Sequence, residues 1–468
     1  MRFLLSATLL FFVVPLVSGA DKPNIVFILA DDLGVFDLGC YGQQKIRTPS
    51  IDKLAAEGLR FTQFYTGNAV CAPSRCCLMT GKHAGHAQVR NNRAMKPEGQ
   101  WPITADTATI AKLLKARGYA TGAAGKWGLG NMESTGNPLK QGFDMFFGYN
   151  CQGHAHNFYP SWLWKNDKKI ELEGNNDGDT GKTYSHDLME AECLSFIEAN
   201  KDKPFFLYVP FTIPHLALQV PEDSLNEYKG KWEETPYKGK AYRPHDHPRA
   251  AYAAMITRMD RSVGRIMDAI KHLKLDDNTI VFFSSDNGAI DAYAGTDAKF
   301  FGSLGPFRNM KGSLYEGGIR TPFIARWPGK VKAGTTSDLV GYFPDVLPTL
   351  CEIAGADAPK EIDGISIAPT LFAKGEQKKH DFFYWEFPGY GGQQAVRVGD
   401  WKAVRQALGK GKIVTELYNL KEDIGERNDL AANHPEIVAK LEKILKDEHT
   451  PSPDFPLQTI DGPVGKKP

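Results

Sequence analysis

Acidic and amide side chains follow two separate apolar runs of the chain. Asp31 and Asp32 come directly after NIVFILA. Asp286 and Asn287 come directly after TIVFFSS. Oxygen ligands of this kind favour Ca²⁺ or Mg²⁺ over Zn²⁺, and three carboxylates brought together would repel one another unless a cation balanced their charge. Each pair taken alone equally fits a helix cap or an Asp-Asn-Gly turn, so the metal site depends on whether the two pairs meet.

Four basic side chains could act together with these acidic and amide residues: Arg75, Lys126, His215 and Lys311. Lys126 and His215 also follow apolar runs, whereas Lys311 lies in a glycine-rich segment where the backbone can approach a ligand closely. A divalent cation together with several cationic side chains suits a tetrahedral oxyanion whose charge must be stabilised during transfer. A single lysine in such a loop is usually only a solvated charge, so the prediction depends on the combination.

Cys71 begins the stretch Cys-Ala-Pro-Ser-Arg, just ahead of a helix predicted to start around Ser74. Pro73 fits the first helical turn, and the amino end of a helix favours negative charge, so a thiolate nucleophile is one interpretation. Cys76 and Cys77 follow closely, but no second Cys-x-x-Cys or histidine pair stands at the spacing of a zinc site. The seven cysteines do not predict a disulfide framework, and we interpret Cys76 and Cys77 as small buried residues.

The elements that must position these residues are short β-rich runs alternating with helical patterns along most of the chain. This alternation predicts an α/β fold with a large, mainly parallel sheet covered by helices on both faces. The four clearest strand patterns cover residues 24–30, 118–125, 204–211 and 279–285. Since the carboxyl ends of parallel strands meet at one edge, we expect the polar residues that follow these runs to converge there, where open α/β sheets bind ligands.

From about residue 375 the pattern changes to short antiparallel strands and one closing helix. We therefore predict a catalytic domain over residues 21–375. A smaller antiparallel-sheet-plus-helix subdomain with a tail is predicted over residues 376–468.

Residues 1–20 have the layout of a cleaved signal peptide: Arg2, an apolar run, and small residues at the end. A membrane anchor is the alternative, but Pro15 interrupts a run already short for a spanning helix. We expect a periplasmic or secreted protein with no membrane attachment after cleavage. A net charge of +1, from 56 basic and 55 acidic residues, does not suggest a nucleic-acid partner.

Cys-x-Pro-x-Arg followed by Leu-x-Thr-Gly (residues 78–81) resembles the signature of the type I sulfatases. Other segments resemble blocks of that family in the expected order: NIVFILADDLG, GYATGAAGKWGLG, PHLAL, SDNG and KGSLYEGGIRTPF. The resemblance extends from about residue 22 to about residue 430. It implies an arylsulfatase-A-like member of the alkaline-phosphatase-like superfamily, with the fold of that superfamily.

The resemblance also implies that a formylglycine-generating enzyme oxidises Cys71 to Cα-formylglycine during export. The family's Ca²⁺ would be bound by the modified residue 71, Asp31, Asp32, Asp286 and Asn287. Arg75 would orient the formylglycine, Lys126 and Lys311 would hold sulfate oxygens, and His215 with Lys311 would protonate the leaving group.

In such enzymes the aldehyde is hydrated, and one hydroxyl attacks sulfur while the alcohol leaves. The second hydroxyl lets the sulfated diol expel sulfate and regenerate the aldehyde. Many members carry a histidine where this chain has Gly128, which leaves the base for sulfate release unassigned. His83 and His86 are candidates to replace it, and solvent exposure or substrate binding is the alternative for both.

Substrate recognition is predicted for Arg90, which we favour, and for His154, His156, Asn157 and Trp385. Polar and aromatic loop residues at strand ends suit a sugar. The prediction is an exported sulfatase that acts on a sulfated saccharide, such as sulfated galactose or N-acetylgalactosamine. The alternatives are a phosphodiesterase or phosphonate hydrolase, and a sulfoglycan-binding protein whose Cys71 is never converted.

Overall fold

A computed structural model of the protein describes residues 22–290, 293–457 and 459–462. The predicted signal peptide at residues 1–20 lies outside the described residues. The strands are β1 (Asn24–Ala30), β2 (Leu59–Tyr65), β3 (Ala120–Lys126), β4 (Met145–Tyr149), β5 (Trp162–Lys165), β6 (Lys168–Glu171), β7 (Phe205–Pro210), β8 (Thr279–Ser285), β9 (Arg320–Arg326), β10 (Thr335–Ser337), β11 (Gly341–Tyr342), β12 (Phe383–Phe387), β13 (Gln393–Val398), β14 (Trp401–Arg405) and β15 (Thr415–Asn419).

The helices are α1 (Pro49–Ala56), α2 (Cys71–Thr80), α3 (Ile110–Ala116), α4 (Ser185–Ala199), α5 (Glu222–Leu225), α6 (Pro248–His272), α7 (Ala298–Phe301), α8 (Glu316–Ile319), α9 (Val346–Ala354), α10 (Ala368–Phe372) and α11 (Pro435–Asp447). Among the described residues, no helix has both the length and the apolar character that crossing a bilayer requires.

The large sheet has the order β10-β2-β9-β8-β1-β7-β3-β4-β5-β6, with β11 paired to β2. Its centre, β8-β1-β7-β3-β4, is parallel throughout. Strands β1 and β8 are buried along their whole length, as expected for parallel strands covered on both faces. The predicted fold class, a large mainly parallel sheet between helices, is confirmed.

Helices cover both faces of this sheet. Along β1, Val26 and Ile28 point into one hydrophobic core with α1, α4 and α6. Ile25, Phe27 and Leu29 point into a second core with α2, α3 and α9. This alternation follows from the two-residue period of a strand, and it holds the strand ends in place between two packed layers.

Strand β9 departs from the parallel arrangement, because it lies antiparallel between β2 and β8. Helix α1 ends at Ala56, and β2 begins at Leu59. Gly58 separates the two elements, and a Cβ there would lie 2.3 Å from the Ala325 carbonyl oxygen of β9. The close approach of β9 therefore requires glycine at this turn.

The second sheet, β12-β13-β14-β15, is antiparallel, and α11 packs on one of its faces through Leu441 and Leu445. Its other face packs against Tyr65 and Ile319 of the large domain. Lys402 is fully buried at this junction and pairs with Glu316 and Glu426, each at 2.8 Å. The predicted small subdomain is present from Phe383 onward, while the boundary near residue 375 stays a prediction.

Candidate active site

The polar residues predicted to converge do lie together at the carboxyl edge of the parallel strands. Asp31 follows β1, Lys126 ends β3, and Asp286 follows β8. All three side chains are completely buried. The parallel register of β8, β1, β7 and β3 brings these strand ends side by side, so the chain positions the cluster through its sheet.

Cys71 is the first residue of α2, three positions earlier than the predicted helix start. Its Sγ lies 3.4 Å from Asp31 Oδ1 and 3.5 Å from Lys311 Nζ. All ten residues of α2 are buried, and the helix ends at Gly81, whose φ of 69° suits glycine. Cys71 is therefore held at a helix amino end inside the cluster.

The environment of Cys71 does not favour a thiolate. Burial, followed by the negative charge of Asp31, raises the pKa of the Cys71 thiol to about 12, in spite of Lys126 and Lys311. All seven cysteines are free thiols, which agrees with the expectation of no disulfide framework. Cys76 and Cys77 are completely buried in the core beneath α2, as predicted.

Arg75 connects three of the elements around the site. Its Nε and Nη2 donate hydrogen bonds to Asp286 Oδ2 at 2.9 and 2.8 Å. Its Nη1 donates to the Lys126 carbonyl, and its Nη2 lies 3.4 Å from Asp31 Oδ2. The guanidinium thus joins α2 to the ends of β1, β3 and β8.

The oxygen side chains form one connected group. Asp32 donates its backbone N–H to Asp286 Oδ1 at 3.2 Å, and Asn287 Nδ2 donates to Asp32 Oδ1 at 2.8 Å. Asp32 has a φ of 68°, a left-handed conformation that aspartate tolerates better than most residues. Burial and the nearby Asp31 raise the pKa of the Asp286 carboxyl, which is the effect of crowding carboxylates in a dry site.

This group fits a hard divalent cation. Its donors are carboxylate and amide oxygens, and Asn287 Oδ1 is buried with no hydrogen-bond partner among the described residues. Asp31, Asp32, Cys71 and His215 also have ligand atoms within 4.8 Å of one another. The oxygen ligands and the unpartnered buried acceptor therefore fit a metal site.

Two lysine ammonium groups face the carboxylates. Lys126 Nζ forms an ion pair with Asp31, and Lys311 Nζ lies 2.6 Å from Asp32 Oδ1. Burial alone would lower the pKa of the Lys311 ammonium, but Asp32 and the other negative groups outweigh it, and the pKa lies well above its ordinary value. Lys311 therefore carries a proton beside Cys71.

His215 lies in the same cluster, with its Nε2 3.6 Å from Asp32 Oδ2. Its Nδ1 donates to the Leu216 carbonyl at 2.6 Å, which leaves Nε2 as the unprotonated nitrogen of a neutral ring. Burial and then Lys311 lower the pKa of His215 to about 4. The His156 ring stacks on His215 at 5.0 Å, and Tyr242 contacts both rings.

The structure does not bring the five predicted substrate residues together. Among the described residues, His156 is the one whose ring contacts a predicted catalytic side chain. His154 is enclosed by the rings of Tyr149 and Trp162, and Asn157 Oδ1 accepts a hydrogen bond from the Tyr159 backbone.

Arg90 and Trp385 are occupied within the protein. Arg90 is buried, and its Nη1 donates to Glu386 Oε1 at 2.5 Å and to the Thr450 carbonyl at 2.6 Å. Trp385 is completely buried and donates its indole N–H to the Thr66 carbonyl at 2.9 Å. These contacts favour structural roles, and substrate binding by either residue stays an untested prediction.

His83 and His86 lie in a separate group. His83 Nε2 lies 3.2 Å from Glu448 Oε2, and His86 Nδ1 lies 2.9 Å from Asp363 Oδ1. His83 Nδ1 accepts the Gly85 backbone N–H at 3.1 Å, so its Nε2 carries the proton toward Glu448. These contacts tie the segment after α2 to the carboxy-terminal part of the chain and do not favour a role in sulfate release.

Sequence reasoning missed one loop residue and two residues that follow a strand end. Tyr390 is 75% exposed, and its ring covers Gly312, where an added Cβ would lie 2.3 Å from the ring. Gly312 follows Lys311, so Tyr390 lies beside the cluster. Strand β4 also ends at the site edge, followed by Asn150 and Gln152; its short apolar run MFFGY was the available signal.

Comparison with known protein families gives two matches. The sulfatase family model matches residues 23–356. A second model, the carboxy-terminal region of N-sulphoglucosamine sulphohydrolase, matches residues 307–450.

Individual proteins are similar over most of the chain. Arylsulfatase A of Homo sapiens is 33% identical, over 91% of this chain and 87% of that protein. N-acetylgalactosamine-6-sulfatase of Mus musculus is 34% identical, over 83% of this chain and 73% of that protein. The solved structure of Ps i-CgsB in complex with k-i-k-neocarrahexaose superposes with a TM-score of 0.78 at 27% identity, covering 92% of this chain and 94% of that chain.

Proposed function

The chain belongs to the sulfatase family and is a sulfuric ester hydrolase, and from this premise we propose that it is an exported enzyme that removes sulfate from carbohydrates by means of a formylglycine formed at Cys71. The observation that carries the proposal is the position of Cys71. Its Sγ lies between Asp31 Oδ1 at 3.4 Å and Lys311 Nζ at 3.5 Å, at the amino end of a buried helix. A nucleophile at this position is surrounded by groups that bind a cation and an oxyanion.

A modified residue 71 and a bound cation both fit this position. Conversion of Cys71 to formylglycine would place an aldehyde there, whose hydrate provides a hydroxyl nucleophile in place of a thiol that burial keeps protonated. Ca²⁺ would supply positive charge, held by Asp31, Asp32, Asp286, Asn287 and the modified residue 71.

Sulfate binding and proton transfer to the leaving group are the roles of the chain's own basic residues. Lys126 and Lys311 each place an ammonium on a carboxylate of the cluster, so both are positioned to donate hydrogen bonds to sulfate oxygens. In the free protein the mobile proton is on Lys311, because the His215 ring is neutral with Nε2 unprotonated. Lys311 is then the proton donor to the leaving alcohol, and His215 Nε2 receives or relays a proton beside it.

Several observations support a carbohydrate substrate. The relatives include an N-acetylgalactosamine-6-sulfatase and a protein crystallised in complex with k-i-k-neocarrahexaose. In this chain, aromatic and imidazole rings lie around the cluster: His156 and Tyr242 beside His215, and the exposed ring of Tyr390 over Gly312, the residue after Lys311. Such rings stack on sugar faces. Sulfated galactose and N-acetylgalactosamine are the first substrates to test, and export follows the signal-like sequence of residues 1–20.

The test is sulfate release, measured by ion chromatography, from sulfated galactose and N-acetylgalactosamine saccharides. Protein produced with a formylglycine-generating enzyme is compared with protein produced without it, and each sulfate ester is paired with the matching phosphate ester. We expect release from sulfate esters that depends on the maturation enzyme. Faster turnover of the phosphate esters would favour the phosphodiesterase or phosphonate hydrolase alternative, and saturable sugar binding without release would favour a binding protein.

A further inference from the structure

Strand β4 carries two side-chain amides to the same edge of the sheet as the catalytic cluster. It is parallel to β3, with Tyr149 in register with Lys126. Asn150 follows directly and Gln152 two residues later. Asn150 is completely buried and Gln152 is 5% exposed.

Neither amide is satisfied by the part of the chain that the structure describes. The side-chain nitrogen and oxygen of both Asn150 and Gln152 are buried without a hydrogen-bond partner among the described residues. Leaving a buried polar group unpaired is destabilising, and the large majority of buried polar atoms in proteins do have partners. Two neighbouring amides with all of their polar atoms unpaired therefore indicate a ligand that pairs with them.

Gln152 lies against the backbone of the segment that follows Lys126. Gly128 donates its backbone N–H to the Asn150 carbonyl at 3.0 Å. A Cβ at Gly128 would lie 2.5 Å from Gln152 Nε2, so the bare backbone at this residue makes room for the amide. Gly128 is two residues beyond Lys126, whose ammonium pairs with Asp31, and Asp31 lies 3.4 Å from Cys71 Sγ. The Gln152 amide is thus beside the segment that follows Lys126, and the backbone of Asn150 is bonded to that same segment.

We propose that Asn150 and Gln152 are neutral hydrogen-bond donors to the sulfate oxygens of the substrate, and that Gln152 occupies the space which a side chain at position 128 would otherwise fill. This proposal rests on the proposed function, since it concerns the oxyanion bound at that site. A carboxamide NH₂ has two N–H donors and does not change charge with pH. It stabilises a developing oxyanion without competing for the proton on Lys311.

Apolar substitutions of similar size separate this role from simple space filling. Gln152→Met and Asn150→Leu remove the donors and also remove an unpaired buried amide. We expect kcat/KM to fall on the order of 10²-fold in each variant, as for the loss of one oxyanion donor, while Tm stays the same or rises. Gln377→Met is the matched control, because its amide is paired with the Ser366 and Lys378 carbonyls and with Thr370. In that variant Tm should fall while kcat/KM is unchanged.

A second readout does not need turnover. Inorganic sulfate is the probe, and its effect on Tm is measured for each protein. We expect sulfate to raise the Tm of the wild type and of Gln377→Met, and to raise it less in Gln152→Met and Asn150→Leu. If the wild type releases no sulfate from any ester, the proposed function fails, yet the sulfate effect on Tm still tests the amides. The proposal would be overturned if both amide variants kept the kcat/KM of the wild type and its Tm response to sulfate. It would also be overturned if both variants lost Tm as Gln377→Met does.

Discussion

Arg75 donates two hydrogen bonds to a single oxygen of Asp286, from Nε at 2.9 Å and from Nη2 at 2.8 Å, and both side chains are completely buried. The pair joins the helix that begins at Cys71 to the end of β8. The same oxygen group that fits a cation is therefore held in place by a residue of the cysteine motif itself. The motif and the predicted metal ligands form one structural unit.

Loss of this pair should affect stability as well as activity. Arg75→Met would leave Asp286 buried without its main partner, and breaking a buried ion pair in this way typically costs about 3–5 kcal/mol. We expect urea unfolding to show a loss of that size, with sulfate release abolished at a temperature where the variant stays folded. Arg117→Met, at an exposed position, is the control, with an expected change below about 0.5 kcal/mol. A stable, inactive Arg75→Met would mean that Arg75 acts in catalysis alone.

The second prediction concerns the proton on Lys311. Lys311→Met removes the ammonium that lies 3.5 Å from Cys71 Sγ and 2.6 Å from Asp32 Oδ1. We expect kcat to fall on the order of 10²-fold to 10³-fold, since a general acid and a contact to the sulfate are both lost. The effect should be smallest on substrates whose leaving group needs no proton, such as an activated aryl sulfate. Equal losses of kcat on activated aryl sulfates and on sugar sulfates would contradict a proton-donor role. Lys299→Met, at an exposed lysine, is the control.

The third prediction concerns calcium. Asn287→Ala removes the buried Oδ1 that has no hydrogen-bond partner among the described residues. We expect Ca²⁺ to raise the Tm of the wild type and EGTA to reverse this, because a ligand that binds only the folded state stabilises it. Asn287→Ala should lose most of the Ca²⁺ effect, whereas Asn433→Ala, at an exposed position, should keep it. An undiminished Ca²⁺ effect in Asn287→Ala would exclude this residue as a ligand.

The fourth prediction concerns pH and a histidine outside the cluster. Burial lowers the pKa of His186 from 6.5 to about 4, and its Nε2 lies 2.9 Å from Ser262 Oγ. The unfolded chain therefore binds more protons between pH 6.5 and 4, and the folded protein loses stability as pH falls through this window. His186→Phe should reduce this loss by up to about 3 kcal/mol, measured as the free energy of unfolding at pH 7 and pH 4.5. The exposed His272→Gln should leave the pH dependence unchanged, and an unchanged dependence in His186→Phe would contradict the assignment.

Much of the fold and of the central cluster could be predicted from the sequence. Apolar runs such as 24–30 and 279–285 are strands with the predicted bounds, because strands buried on both faces need continuous apolar residues. The polar residues directly after them then had to meet at one edge of a parallel sheet. Local sequence was sufficient here because the sheet topology places strand ends together.

Other features depend on contacts between distant parts of the chain. Arg90 pairs with Glu386, 296 residues away, and nothing in the local sequence shows that its charge is already balanced inside the protein. Trp385 is likewise in the core although its neighbours are polar and aromatic. Strand β4 could not be predicted from its local sequence, because a run of five residues is too short to distinguish from a loop. The amides of Asn150 and Gln152 therefore appear at the site only when the register of β3 and β4 is known.

The most direct test of the account is mass spectrometry of the tryptic fragment that covers residues 61–75, from protein produced with an active formylglycine-generating enzyme. We predict that Cys71 is present as the aldehyde or its hydrate, while the thiols of Cys76 and Cys77 in the following fragment are unchanged. An unmodified Cys71 thiol, alongside full conversion of a control sulfatase in the same host, would contradict the proposed mechanism.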